Sequence, residues 1–272
     1  MPRFSHVLLE KDNSEHIAWL TINRPRRRNA IANLTVRELA EAVEDIEADD
    51  DIRVVILTGA GESFCAGGDL HALSGGAEPG AWASENTDDI RRSFKGAQRL
   101  MLGLQRLEKP VIGMINGAAV GAGFDLACVC DIRIGSPNAR FMVAYVRIGL
   151  FPGFGGTWLY SRTLGSLGKA AEMLFTGDFL EADEAYRVGF LNKLVPEEEL
   201  KATTLEMARK IAAGPPIAIR LSKLMLYKGL EFDLDTALKM AAAAETITLT
   251  SRDHQEGISS IRESRKPLYE GR

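Results

Sequence analysis

Two short stretches of this 272-residue chain could hold a negatively charged oxygen with main-chain groups alone. Each sets small residues beside an aspartate just after an apolar run: Phe64-Cys65-Ala66-Gly67-Gly68-Asp69-Leu70 and Gly121-Ala122-Gly123-Phe124-Asp125-Leu126. Glycine and alanine let a ligand approach the backbone closely. The first turn of a helix also leaves N–H groups without partners inside the helix. If the two stretches converge, their amides form an oxyanion hole. Taken singly, each reads more simply as a tight strand-to-helix turn with Asp69 or Asp125 as a helix-terminal charge. Asp125 follows Ala122 by three residues, so the two share a helix face, and helical side chains lean back towards the N-terminus. Its carboxylate is therefore expected near the hole. Burial would raise its pKa and the helix N-terminus would lower it, which leaves its proton state open.

The surrounding pattern supplies elements that could position these turns. Val7 to Leu9 and Ile17 to Ile22 flank a polar turn and predict a hairpin. Thr35 and Glu38 have capping-box spacing, and Val36, Leu39, Val43 and Ile46 recur at helical intervals. Val54 to Leu57 reads as a strand covered on both faces, ending at Thr58-Gly59-Ala60-Gly61. Leu73 to Asp89, rich in Gly, Ala and Ser, reads as a mobile loop of the kind that covers sites. Ile90, Phe94, Ala97, Met101, Leu104 and Leu107 mark a long helix ending before Pro110, and Val111 to Ile115 is the next buried strand. Strands alternating with helices imply an α/β or α+β core with parallel crossovers. From about Pro196 the pattern is helical, broken at Gly214-Pro215-Pro216.

The pieces also occur in a familiar order. Ile22-Asn23-Arg24-Pro25, Asn29-Ala30, Thr58 to Gly61, Phe64 to Leu70, Lys109 to Ile112, Asn116-Gly117, Gly121 to Arg133, Gly149 to Gly153, Gly155-Gly156-Thr157, Glu256-Gly257 and Arg265-Lys266-Pro267 together resemble the crotonase (enoyl-CoA hydratase/isomerase) superfamily. The resemblance runs from about residue 17 to 266. It implies an α/β (α+β) crotonase-like fold of repeated strand-strand-helix turns, with residues 1–195 as the core and 196–272 as a C-terminal helical trimerisation region. It implies an acyl-CoA substrate, coenzyme A entering as part of that substrate, no permanently bound cofactor or metal, and a homotrimer or dimer of trimers. The N–H groups of Gly68 and Ala122 would bind the thioester oxygen. Ala66 would meet the adenine through its backbone, with Ala30 nearby. Arg26 and Arg28, joined by Arg265 and Lys266 of a neighbouring subunit, would contact phosphates; the alternative for this basic run is a solvated loop.

Asp125 falls where many hydratases of the family carry a catalytic glutamate. The second hydratase glutamate falls on Tyr145, and a phenol with an ordinary pKa near 10 is a poor base at neutral pH, though it can donate a hydrogen bond or a proton. Tyr145 reads equally as a pocket aromatic. Dienoyl-CoA isomerases place aspartate where Asp125 stands but use acids at the positions of Tyr145 and Gly153. One carboxylate therefore favours proton shuttling or isomerisation over two-glutamate hydration. Cys65 as a nucleophile, His71 or Trp82, Phe151 and Phe154 in an acyl pocket, and Glu78 or Glu85 as a loop-borne acid are lesser candidates.

Composition bounds the rivals. With 33 basic and 37 acidic residues, a net charge of −4 disfavours nucleic acid as the main ligand. Three cysteines leave one unpaired under any pairing, which fits a reducing, cytoplasmic setting, and no apolar run has signal-peptide or membrane-spanning length. A thioester or carbon–carbon hydrolase on the same fold, a non-catalytic acyl-CoA or RNA-binding protein, and a dinucleotide enzyme built on Gly59-Ala60-Gly61 are the alternatives. In the last, Phe64 stands where the third glycine of the fingerprint belongs.

Overall fold

The computed structural model describes residues 3–74 and 86–272. β1 (Val7–Asp12) and β2 (Ile17–Ile22) form the expected antiparallel hairpin, with Val7 opposite Ile22. Next come α1 (Asn33–Glu47), β3 (Val54–Gly59), the single turn α2 (Leu70–Leu73) and the long α3 (Thr87–Arg106). β4 (Val111–Ile115), β5 (Ala118–Val120), α4 (Ala122–Val129), β6 (Ile132–Gly135) and β7 (Arg140–Met142) follow. A 3-10 turn at Ala144–Ile148 leads to α5 (Gly156–Thr163), α6 (Leu167–Thr176), β8 (Phe179–Glu181), α7 (Ala182–Arg187) and β9 (Lys193–Leu194). The chain ends in α8 (Glu197–Ala212), α9 (Pro216–Lys228), α10 (Leu234–Leu249) and α11 (Arg252–Arg262). The helical break expected at Gly214 to Pro216 separates α8 from α9. Most of the loop expected over residues 73–89, with Glu78, Trp82 and Glu85, lies outside the described residues.

Six strands form one sheet in the order β1-β2-β3-β4-β6-β9, parallel except for the first pair. β5, β7 and β8 form a second, smaller sheet. β3 is buried along its whole length because its alternate residues enter two different cores. Val55 and Leu57 pack with Val36, Leu39 and Val43 of α1 on one side. Val54 and Ile56 pack on the other side with Leu200, Ala208 and Ala212 of α8. The first helix of the C-terminal stretch thus closes the second face of the sheet.

The start of α1 differs from the expected capping box. The helix begins at Asn33, and the Thr35 hydroxyl, one turn in, lies 3.3 Å from the Ala32 N–H. Glu38 is buried and accepts instead from the amides of Ser5 and His6, at 2.9 and 2.7 Å. Those two main-chain donors need a partner once covered, and they draw the carboxylate away from the helix end.

The turn after β3 is fixed by two asparagine amides. Asn116 Nδ2 donates to Gly59 O and Gly61 O, each at 2.7 Å. Asn29, fully buried at a positive φ of 58°, donates to Ala60 O at 2.9 Å and Ser63 O at 2.7 Å and accepts from Arg24 N. Gly59 is required there, since a Cβ would fall 2.2 Å from the carbonyl oxygens of Ser63 and Phe64. No helix follows this turn directly; the chain pairs Cys65 with Ala119. That excludes the dinucleotide-binding alternative, which needs a helix opening on the glycine turn.

α9 is tied to the core through Asp131. Lys223 Nζ lies 2.7 Å from Asp131 Oδ2, and the Tyr227 hydroxyl donates to Oδ1 at 2.6 Å. α10 has no buried residue. No described helix is long and apolar enough to cross a membrane.

Replacing Asn116 by Ala strands the Gly59 and Gly61 carbonyls, and a buried polar group left unpaired costs about 1–3 kcal/mol. Asn116→Ala is therefore expected to lower the urea midpoint with an unchanged m value. A midpoint equal to that of the parent protein would show that this amide is not what fixes the turn.

Candidate active site

The two glycine turns leave adjacent chains side by side. Cys65 N donates to Ala118 O at 3.0 Å and Val120 N donates to Cys65 O at 2.9 Å, so residues 64–66 run parallel to β5. At Gly67, φ is +86°, and a Cβ there would lie 2.5 Å from Val120 O and 3.6 Å from Ala122 N. Gly68 is the next residue, which brings its amide within one residue's reach of the Ala122 amide. Gly123 closes the contact from the other side, where a Cβ would fall 2.2 Å from Cys65 O.

Several neighbouring amides are engaged. Ile31 N donates to Gly67 O, Asp69 N to Ile31 O, Gly121 N to Met142 O and Asp125 N to Gly121 O, at 2.7 to 3.0 Å. The N–H groups of Gly68 and Ala122 have no acceptor among the described residues. They remain the donors available to an incoming oxygen.

Arg24 braces the first turn from outside. Its guanidinium lies 3.0 Å from Asp69 Oδ2 and also donates to Ala30 O, while Asp69 Oδ1 accepts from His71 N at 3.1 Å. The guanidinium and the His71 amide outweigh burial and hold Asp69 below the usual carboxylate range. Ala66 N donates to Arg28 O at 2.9 Å, so the basic run is bonded to the main chain at the position expected for adenine. Arg26 and Arg28 are exposed and Ala30 is buried. Arg265, also exposed, is bound within its own chain to Glu256 and Glu263, and Lys266 is exposed beside it.

Asp125 is fully buried on α4, a helix with no solvent-facing residue. Phenols occupy both of its oxygens. Tyr145 Oη donates to Oδ2 at 2.6 Å, and Tyr160 Oη donates to Oδ1. The register of β5 with β7, Val120 opposite Met142, sets Tyr145 of the following 3-10 turn against α4. Its ring lies 3.9 Å from where a Cβ on Gly121 would stand, next to the Ala122 amide. Burial pushes the Asp125 carboxyl up to about 7, while the two phenol hydrogen bonds pull it down. Desolvation therefore outweighs any pull of the short helix. Burial and the adjoining carboxylate hold both phenols well above 10.

The structure thus joins Asp125 to Tyr145 as a hydrogen-bonded pair at the edge of the two amides. Tyr160 went unnoticed in the sequence. Its only signal is the spacing of Gly156 and Tyr160 on one face of α5: a Cβ at 156 would fall 2.4 Å from the Tyr160 hydroxyl and 2.7 Å from Asp125 Oδ1. Among the lesser candidates, Cys65 is fully buried and its thiol is pushed up to about 12, which removes it as a nucleophile. His71 is exposed, Phe151 is 73% exposed, and Phe154 is buried. The space beside Gly153 is filled by the Phe94 ring, 2.4 Å from where a Cβ would stand, so an acid at this position would have to displace that ring.

Residues 12–272 match the enoyl-CoA hydratase/isomerase family. The chain is 39% identical over 263 residues to the short-chain-enoyl-CoA hydratase of Clostridium acetobutylicum, covering 96% of both. It is 35% identical over 256 residues to the 1,2-epoxyphenylacetyl-CoA isomerase of Escherichia coli, covering 94% of this chain and 95% of the relative. Its fold is similar to a crystal structure of an enoyl-CoA hydratase from Bacillus anthracis, with TM-score 0.90, 33% identity, and coverage of 98% and 100%.

A carboxyl held near 7 in the native state and near 3.8 when unfolded makes the native protein lose stability as pH rises between those values. Between pH 5 and pH 8 the loss spans about two pH units, or about 3 kcal/mol. The stability of Asp125→Asn relative to the parent is expected to rise by that amount between the two pH values in denaturant titrations. A difference independent of pH would mean that Asp125 does not titrate in this window.

Proposed function

The chain belongs to the enoyl-CoA hydratase/isomerase family, and from that premise we propose that it moves a proton beside the thioester carbonyl of an acyl-CoA, with Asp125 and Tyr145 as its acid–base unit. It is an enzyme of the lyase or isomerase type. The observation that carries the finer reading is the 2.6 Å bond from Tyr145 to Asp125 at the rim of the Ala122 amide.

In this reading the Gly68 and Ala122 N–H groups bind the thioester oxygen and take up the charge that develops as an enolate forms. Losing one such donor typically costs about 3–4 kcal/mol of transition-state stabilisation. Asp125 has no oxygen free to reach the substrate, and a free Tyr145 phenolate is too costly to form at neutral pH. The two therefore act together. The substrate C–H bond breaks, its proton goes to the Tyr145 oxygen, the Tyr145 proton passes to Asp125 Oδ2, and the electron pair flows to the thioester oxygen. Reversal at another carbon returns the proton and completes an isomerisation. Among the described residues Asp125 is the one carboxylate in this unit, which favours proton shuttling over two-carboxylate water addition.

Coenzyme A is carried as part of the substrate. Ala66 and Ala30 lie along its adenine side, Arg26 and Arg28 face its phosphates, and Arg265 and Lys266 of a second copy complete the contact. That arrangement needs a neighbouring copy, and a homotrimer or dimer of trimers built by the C-terminal helices would supply it. α10 has no buried residue and leaves Leu234, Leu238 and Ile247 exposed, which supports such an assembly. Three buried, unpaired thiols fit a reducing, cytoplasmic setting.

The test is a panel of straight-chain, dienoyl, alicyclic and aromatic CoA thioesters incubated with the protein in heavy water and followed by mass spectrometry. Deuterium uptake with a shifted double bond is expected, and Tyr145→Phe and Asp125→Asn should each slow it about 10²–10⁴-fold. Gain of water as the sole product would replace this reading by hydration. Release of free CoA would replace it by hydrolysis, and full activity in Asp125→Asn would remove that residue from the reaction.

A further inference from the structure

The buried half of the Asp125 environment is not used by the chemistry above, yet it is built with as much care as the half that faces the substrate. We propose that Tyr160 is a positioning residue: from α5 its hydroxyl holds Asp125 Oδ1, so that Oδ2 alone is turned towards Tyr145. This rests on the reading of Asp125 and Tyr145 as the acid–base unit.

Three observations carry the proposal. Tyr160 is fully buried, and a phenol hydroxyl removed from water needs a partner; here its partner is the one carboxylate on α4. Its ring is fixed independently of that bond, stacked on Phe124 at 5.0 Å between centroids, with Phe141 and Phe190 packed against Phe124 in turn. Finally, Gly156 leaves open the space that the Tyr160 hydroxyl and Asp125 Oδ1 share, since a Cβ would overlap both. A donor fixed in this way chooses the carboxylate rotamer and stabilises the ionised form that must accept the Tyr145 proton.

The ionisable groups around Asp125, among the described residues, are the Tyr145 and Tyr160 phenols with the Cys65 and Cys128 thiols alongside. Burial raises both thiols, Cys65 to about 12, so they stay neutral through the working range. The acid limb of the rate profile then belongs to Asp125. Removing a hydrogen bond to its charged form raises its pKa, and the limb moves to higher pH.

Tyr160→Phe keeps the stacked ring and deletes only the hydroxyl. Its kcat–pH profile, measured on whichever thioester the parent enzyme turns over, is expected to shift upward by about one pH unit. At pH 6.5 kcat should fall about tenfold with KM unchanged, and the loss should largely disappear on the alkaline side of the shifted limb. Tyr160→3-fluorotyrosine, nearly the same size but a stronger donor, should move the limb the other way. A limb that stays in place in both variants, with kcat lowered equally at every pH, would reduce Tyr160 to packing and overturn the proposal. Asp125→Asn run in parallel separates the two readings: if it is fully active, the acid–base assignment itself fails, whereas an inactive Asp125→Asn with an unmoved Tyr160→Phe limb defeats only the role of Tyr160.

Discussion

The close parallel approach of residues 64–68 to β5 and the turn after it is the constraint on which the rest of this molecule depends. Two main-chain bonds between Cys65 and β5 set the register, and Gly67 and Gly123 lack the Cβ atoms that would keep the chains apart. Without that approach, two amides lacking acceptors would be separate defects in separate turns. With it, they lie on adjoining turns held by the backbone, the arrangement the proposed oxyanion hole needs. Asn29, Asn116 and the Arg24–Asp69 pair all act on this contact, fixing the turn that precedes it or the loop that leaves it. Their cost is the burial of polar side chains, and each offsets it by bonding several main-chain groups at once.

The second consequence is electrostatic. Placing α4 behind the amides forces Asp125 into the protein interior, where its charged form is disfavoured. The two phenol donors do not cancel that penalty; they reduce it until the carboxyl titrates near neutrality. A carboxylate in water would be too weak a base for carbon acids at neutral pH, and a buried one without donors would stay protonated. The observed arrangement lies between those limits, where a general base is most effective.

Much of this was legible in the residues themselves, because glycine and aspartate at a strand end report on backbone conformation directly. The turns at residues 67–68 and 121–123, the hairpin, the long α3 and the break before Pro216 all follow from local chemistry. Other features did not. Thr35 and Glu38 have the spacing of a cap, but Glu38 is recruited by amides more than thirty residues away, a choice made by burial and not by local propensity. Tyr160 has no motif of its own; only the packing of α5 on α4 brings it to a carboxylate thirty-five residues distant. The meaning of Gly153 was equally hidden, since the ring that fills its space belongs to α3. Tertiary contacts, which no local motif reports, decide what each of these positions can do.

In the proposed reaction the amides of Gly68 and Ala122 act on one oxygen. Isotope-edited infrared spectroscopy of a bound, unreactive saturated acyl-CoA labelled with carbon-13 at its thioester carbonyl reads this directly. Two converging N–H donors should draw the carbonyl stretch to lower frequency than in buffer, because they polarise the bond beyond what water achieves. A bound carbonyl vibrating at its frequency in buffer would mean that the two amides do not meet at the substrate, and the account would fail.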